Sequence, residues 1–331
     1  MIGRIGSMAW GLLLAAGAAG DAAGQDGFFR WFQPLRSDEQ VSIAAEAEYY
    51  PRENIRKQGT GFKDVRGELS MVLPLDSNAD REWAATLRTG VRSLGTGAVI
   101  PGTGESFPAE LWDLNFGLVH RRRLSNGGTV GGQLSLTSPS DRPFASWEET
   151  AILLNGFFRL PAGERNSWVF FLNYSSNREF LPHVPIPGAA FLYAPSRDFN
   201  LLAGAPLLSV NWKPADRLSL RGFYFPIHTV FVGSEYSLGA GWKIFADWRW
   251  ENDRYYRANR EDKDHRLFWY EQRLEIGFSV EPAPGFELAL AGGYASDRFF
   301  FEGESYSKDR TENRIDIADG PFLTAHLRGR L

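Results

Sequence analysis

Charged side chains recurring at positions of one parity are the chemistry-bearing feature of this chain. Glu46 and Glu48 form one such set, Arg66 and Glu68 join Asp64 in a second, and Glu82, Arg88 and Arg92 make a third. Lys243, Asp247, Arg249 and Glu251 follow, then Arg273 and Glu275, then His326, Arg328 and Arg330. The opposite parity is apolar: Ile43, Ala45 and Ala47; Val65, Leu69 and Met71; Trp83, Ala85 and Leu87; Trp242, Ile244 and Trp248; Leu274, Ile276 and Phe278; Leu323, Leu327 and Leu331. A period of two places each set on one face of a strand. Charges gathered on one face must be paired or meet water. If the charged faces line a water-filled interior, Glu46, Glu68, Glu82, Asp247 and Glu275 against Arg66, Arg88, Arg92, Arg249 and Arg273 form an electrostatic lining that selects passing ions. If they pair with each other they fill that interior instead, and the sequence leaves both outcomes open.

Other candidate chemistry is weaker. A hydrolase needs a histidine oriented by Asp or Asn beside a serine or a water. The five histidines, His120, His183, His228, His265 and His326, lie in no GxSxG or HExxH setting. The stretches RYYRANREDKDHR and FEGESYSKDRTENRIDIADG carry enough acid to suggest Ca²⁺ and enough Arg to suggest lipopolysaccharide phosphates. Neither follows an EF-hand or nonapeptide spacing, so solvated, internally paired loops are expected, with no metal and no cofactor. Tyr255, Tyr256, Phe299, Phe300 and Phe301 beside them read as an outer aromatic girdle, and Arg121, Arg122 and Arg123 as a solvated strand end.

The elements that must position these residues are strands. Tight Gly/Pro/Asn/Asp turns at 76–80, 125–128, 161–166, 195–198, 213–216, 238–241 and 281–285 alternate with longer polar connections at 51–60, 94–110, 139–147, 177–187, 252–264 and 302–319. Two further reversals near Pro206 and Pro226 give sixteen strands, with twelve or fourteen still compatible. Short turns alternating with long loops, 14% aromatic residues beside a net charge of only −4, and a last strand, GPFLTAHLRGRL, with strict dyad alternation define the fold class. It is an all-β transmembrane antiparallel up-and-down barrel with both termini expected in the periplasm. Residues 1–24 read as a signal peptide cleaved between about 19 and 25, leaving one domain over 25–331. No cysteine is present for a disulfide or a lipid anchor, and the low net charge argues against nucleic acid.

Three stretches of the second half add a resemblance: IPGAAFLYAPSRDFNLLAGAPLLSVNWKPADRLSLRGFYFP, RANREDKDHRLFWYEQRLEIGFSV and GGYASDRFFFEGESYSKDRTENRIDIADGPF. Over residues 186–322 the chain resembles a functionally unassigned family of bacterial outer-membrane barrels, a domain of unknown function. The resemblance implies an exported barrel and transfers no activity and no site residues. The expected function is a passive, porin-like channel for small polar solutes, without catalysis. The alternatives are a structural or surface-interaction barrel with a plugged lumen, and an outer-membrane hydrolase. Expected partners are outer-membrane lipid and lipopolysaccharide, the barrel-assembly machinery and small polar solutes; the oligomeric state is left open.

Overall fold

The computed structural model describes residues 35, 39–178, 183–225, 229–311 and 314–331. The leader read over residues 1–24 and the reversal at Pro226 lie outside them. The chain forms β1 (Ser42–Asn54), β2 (Gly61–Ser77), β3 (Arg81–Thr96), β4 (Glu110–Arg123), β5 (Thr129–Ser140), β6 (Ala151–Pro161), β7 (Ser167–Ser175) and β8 (Ile186–Tyr193). It continues with β9 (Phe199–Ala205), β10 (Leu208–Ala215), β11 (Leu218–Phe225), β12 (Thr229–Gly239), β13 (Trp242–Tyr255), β14 (Arg266–Ala283) and β15 (Phe286–Gly303). The three-residue β16 (Ile315–Ile317) and β17 (Gly320–Arg330) complete it.

Each barrel strand pairs antiparallel with its neighbours in sequence, and β17 returns to β1 with Ser42 opposite Arg330 and Tyr49 opposite Leu323. Val41 and Leu331 exchange backbone hydrogen bonds of 3.1 and 2.9 Å at the seam. The strand that begins the ladder therefore pairs with the one that ends it, and no edge is left. β16 pairs with the long-loop end of β15 and bridges Ile55 just beyond β1, above the closed ladder, which has the sixteen strands expected from the turn spacing. All seven tight turns and the long connections fall where Gly, Pro, Asn and Asp place them. β9 to β11, of seven or eight residues each, make the lowest part of the wall.

Alternation holds on the outside. Leu134, Leu154, Val232, Leu274, Ile276, Phe278, Leu290 and Leu323 are large apolar residues facing outward and exposed, a surface that only hydrocarbon can cover over this area. Trp83, Trp168, Tyr193, Trp212, Tyr236 and Trp242 form an exposed collar, each a few residues from a short turn. That is the depth at which amphipathic rings meet a membrane interface. Inward aromatics lie flat on the wall where the facing residue lacks a side chain. A Cβ on Gly277 would fall 2.5 Å from the Phe245 ring, and one on Gly293 would fall 2.3 Å from the Phe322 ring. These close approaches let a ring cover the neighbouring strand without projecting into the lumen.

The two faces of β14 make a direct test. Ile276 is 57% exposed toward lipid and Glu275 is 1% exposed toward the lumen. Ile276→Arg should cost about 2–4 kcal/mol near the bilayer midplane, read as a lowered urea midpoint for folding into vesicles. Ile276→Val should leave that midpoint in place; equal losses for the two variants would contradict the face assignment.

Candidate functional site in the barrel lumen

All ten charged residues singled out by alternation face the lumen, and the structure brings most of them together on one wall. On β13 and β14 the charges sit in layers. Glu251 lies opposite Glu271, then Arg249 opposite Arg273, then Asp247 opposite Glu275. Like charges directly opposite would repel, but the basic layer is sandwiched between the two acidic ones. Arg273 reaches Glu251 at 3.3 Å and pairs with Glu48 of β1, while the Tyr50 hydroxyl lies 3.2 Å from Arg273. Arg249 stands 3.8 Å from both Glu251 and Glu275.

Higher in the barrel, Arg66 donates to Glu271 at 2.5 and 3.0 Å and to Asp64 at 2.8 Å. Its guanidinium lies 4.1 Å from the Tyr50 ring, with Arg298 at 4.7 Å from the same ring. Arg92 covers Trp269 at 4.5 Å and approaches Asp64 at 3.5 Å. Asp64, Glu271, Tyr50 and Trp269 are fully buried. Charges this dry persist because each carboxylate meets more than one guanidinium and the rings shield what remains. Above them Ile55, Phe62, Leu94, Leu111, Leu267, Phe300, Ile315 and Ile317 form an apolar cluster, so β1–β3 and β13–β17 present a filled wall.

The facing wall is different in kind. β4 to β7 turn Asn115, Gly117, Gln133, Ser135, Thr137, Asn155, Asn173 and Ser175 inward, short polar side chains that fill little space. Between the walls lies a cavity of about 360 Å³, bordered by Glu68, Arg88, Asp113, Asn115, Thr137 and Asp253 among others. Arg88 of β3 lies at the edge of it, joining the neighbouring strands β2 and β4, 2.9 Å from Glu68 and 3.2 Å from Asp113, and all three are about a quarter exposed. Toward the short turns Lys243 joins Glu235 at 3.4 Å and Glu287 at 3.0 Å, with similar exposure. Arg328, 3.8 Å from Glu287, is equally exposed.

A strap crosses the mouth at the long-loop end. β5 and β13 stand eight strands apart in a ring of sixteen, on opposite walls. Even so, Tyr256 just beyond β13 bridges Ser140 of β5, donating its amide to the Pro139 carbonyl at 2.7 Å and accepting from Asp141 at 3.2 Å. The following residues are tied to two other loops and to the end of β15. Arg257 holds Glu302 at 2.5 and 2.9 Å and also pairs with Glu105; Arg260 donates to Glu149 at 2.9 Å and to the Glu148 carbonyl at 2.9 Å. Both arginines are 2% exposed. Burial would raise the Glu149 carboxyl, but hydrogen bonds from Ser146 and Arg260 outweigh it and hold the group below its ordinary value.

Several readings of the sequence change. Tyr256, Phe299, Phe300 and Phe301 are buried rather than lipid-facing: Phe300 packs inward 4.2 Å from Trp269, and Phe299 and Phe301 stack on Tyr270 and Phe268 beneath Tyr306 of the one-turn helix Tyr306–Asp309. β14 and β15 run past the membrane there, and the register shift between Tyr270 and Gln272 re-aims the triple Phe. Tyr255 packs against the apolar cluster. Arg121 is sealed inward on Glu82, both fully buried, so it is not a solvated strand end, and Glu82 offers no charge to a passing ion. Of the ten lining candidates only Glu68 and Arg88 border the cavity with about a quarter of the side chain exposed; Glu46 and Arg66 keep about a tenth, and Glu82, Arg92, Asp247, Arg249, Arg273 and Glu275 are sealed. Tyr50, Glu271, Arg298 and Trp269 were not singled out. Glu271 and Trp269 share one parity with Arg273 and Glu275, and that signal was available.

His120 meets the Glu82 carbonyl, His183 the Tyr174 hydroxyl, His265 Asp262 and His326 Glu46; among the described residues none of these contacts joins a serine. His228 lies outside the described residues. No group of three His, Cys, Asp or Glu suited to a metal occurs among the described residues.

No protein-family model matches the sequence, and no curated protein matches it. Among solved structures, the barrel is similar to a deletion mutant of the monoaromatic hydrocarbon channel TodX, with 9% identity over 95% of each chain and a TM-score of 0.42. It is also similar to OccK7 of Pseudomonas aeruginosa, with 9% identity over 88% of this chain and 99% of that one and a TM-score of 0.38. A third is the translocator domain of the autotransporter NalP from Neisseria meningitidis, with 12% identity over 94% and 97% and a TM-score of 0.31. The likeness is one of barrel fold alone.

The two kinds of lumen charge should respond differently to removal. Arg273→Ala strands Glu48 and Glu251 and should cost about 3–5 kcal/mol of stability, whereas Arg88→Ser, at a wet site, should cost about 1 kcal/mol or less; denaturant midpoints in vesicles decide. The strap makes a second test. A carboxyl held below its ordinary value contributes stability above that value, and the contribution is lost as pH falls through the depressed one. Amide exchange over residues 256–265, corrected for intrinsic rate, should thus stay slow at about pH 5 and rise only below the ordinary carboxylate value of about 4.3. Glu149→Gln should raise it at neutral pH, and unchanged exchange in that variant would show that Arg260 is held by other contacts.

Proposed function

We propose that this protein is an outer-membrane channel that conducts small polar solutes along one side of its lumen. The observation that carries the reading is the asymmetry of the interior: a filled wall of paired charges faces a wall of Asn, Ser, Thr and Gly, with the Glu68–Arg88–Asp113 set exposed between them. A solute moving along the polar wall meets acid and base side by side where that wall joins the filled one, on the adjacent strands β2, β3 and β4, which suits small hydrated ions and dipolar molecules. The filled wall does not select; it narrows the path and holds Arg88 in place.

In this reading the short turns and both termini lie in the periplasm after removal of a leader, the long loops face outward toward lipopolysaccharide, and the assembly machinery receives the β17 segment. Membership of the unassigned barrel family that residues 186–322 resemble belongs to the same proposal and brings no activity with it. The strap from β13 to β5 favours a second reading, a plugged structural barrel, because it crosses the one side of the mouth that the filled wall leaves free.

Planar-bilayer recording of the folded protein separates the two. The channel reading expects discrete conductance steps. It also expects Arg88→Ser to move selectivity severalfold toward cations at about 0.1 M salt, with the shift shrinking near 1 M as the screening length falls from about 10 to about 3 Å. Folded protein that gives no steps at any voltage would leave the structural barrel as the reading.

A further inference from the structure

On the outside of the barrel, at the short-turn rim, a second cluster is used by neither packing nor conduction. Strand alternation separates the three consecutive arginines: Arg121 turns inward onto Glu82, and Arg122 turns outward. There it stands directly opposite Arg81 across the β3–β4 ladder. Like charges so placed are about 5 Å apart at Cβ and repel. Asp76 accepts Arg81 at 2.9 Å, while Arg122 has no carboxylate within ion-pair distance among the described residues. One pair closer to the membrane, Trp83 and His120 stack with ring centroids 4.1 Å apart. His120 Nδ1 lies 3.0 Å from the Glu82 carbonyl, so that nitrogen carries the proton and the ring is fixed. Beyond them the outward column continues as Leu118, Phe116, Leu134 and Leu136, all exposed. Asn78, Asp80, Arg81, Trp83, His120 and Arg122 enclose a groove of about 500 Å³ at the head of this column.

We propose that the groove holds the headgroup of a glycerophospholipid bearing a primary amine. On the outward face the charges cancel, Arg81 and Arg122 against Asp76 and Asp80, with Arg123 at the parity of the inward Arg121, so a plain anion would gain the arginines and meet the repulsion of Asp80. A zwitterion meets both signs. Its phosphodiester sits between Arg122 and Arg81 and removes their repulsion through charge-assisted hydrogen bonds, and its ammonium reaches the Asp80 carboxylate. A primary ammonium donates hydrogen bonds there, which a quaternary one cannot. The Trp83–His120 stack marks the interfacial depth, and the acyl chains lie along Leu118, Phe116, Leu134 and Leu136.

Native mass spectrometry of the full-length protein in detergent tests this with phosphatidylethanolamine, phosphatidylglycerol and phosphatidylcholine of identical acyl chains. The wild type should retain one phosphatidylethanolamine severalfold more than either other lipid. R81Q/R122Q should lose that retention, D80N should erase the preference over phosphatidylglycerol, and R197Q/R217Q, altering exposed arginines of other short turns, should retain the lipid as the wild type does. An unchanged heat-dependent gel shift confirms that each variant is folded. The proposal is overturned if R81Q/R122Q keeps phosphatidylethanolamine at the wild-type level, if the wild type holds phosphatidylglycerol or phosphatidylcholine as strongly, or if excess inorganic phosphate displaces the lipid.

Discussion

A backbone amide or carbonyl facing hydrocarbon with no partner costs several kcal/mol, and everything else in this protein answers to that constraint. It requires the ladder to close, which β17 does on β1, and it requires an even number of antiparallel strands when both ends of the chain meet at one seam. Closure forces alternation on every strand, because one face must satisfy lipid and the other must satisfy whatever occupies the lumen. An interior wide enough for sixteen strands cannot be filled by aliphatic side chains from its walls. The inward positions must therefore be polar, and polar groups in a confined space must be wet or paired.

Here both solutions are used, on different walls. On β1–β3 and β13–β17, long Arg, Glu and Tyr side chains meet across the curvature and neutralise one another layer by layer, with Trp269 and the apolar cluster above them. On β4–β7 the side chains that border the cavity, Asn115, Thr137 and Ser175 among them, are short, and space remains in front of them. The strap is held by the same chemistry, guanidinium against carboxylate, but from a loop to a strand end and to another loop. It lies over the wet side, whose cavity Pro139 and Tyr255 also border.

Strand positions, turns and the facing of each side chain were legible in the sequence because alternation and Gly/Pro/Asn/Asp turns are local signals. The sixteen-strand division held even across the short β9–β11. What the charges do was less legible. Glu68 and Glu82 have the same parity and neighbouring strands, yet one borders the cavity and the other is sealed beneath Arg121. The difference depends on the length of the facing side chain across the ladder, which alternation does not encode. The strap was missed for a similar reason. RYYRANREDKDHR reads as a solvated loop, and only the meeting of Tyr256 with Ser140 from the opposite wall reveals that Arg257 and Arg260 are interior. The aromatics beside it were misplaced because strands that outrun the membrane carry rings for packing, not for an interface.

The central claim is that one wall of the lumen is dry and the other wet, and the cysteine-free chain allows it to be measured directly. Asn115→Cys places a thiol on the polar wall beside the cavity, and Thr324→Cys places one on the filled wall, where Thr324 lies 3.4 Å from Glu275. In protein reconstituted into vesicles, a small charged methanethiosulfonate reagent should modify Cys at 115 rapidly and leave Cys at 324 unmodified until the barrel is denatured. Equal rates at the two positions would contradict the division of the lumen on which this account rests.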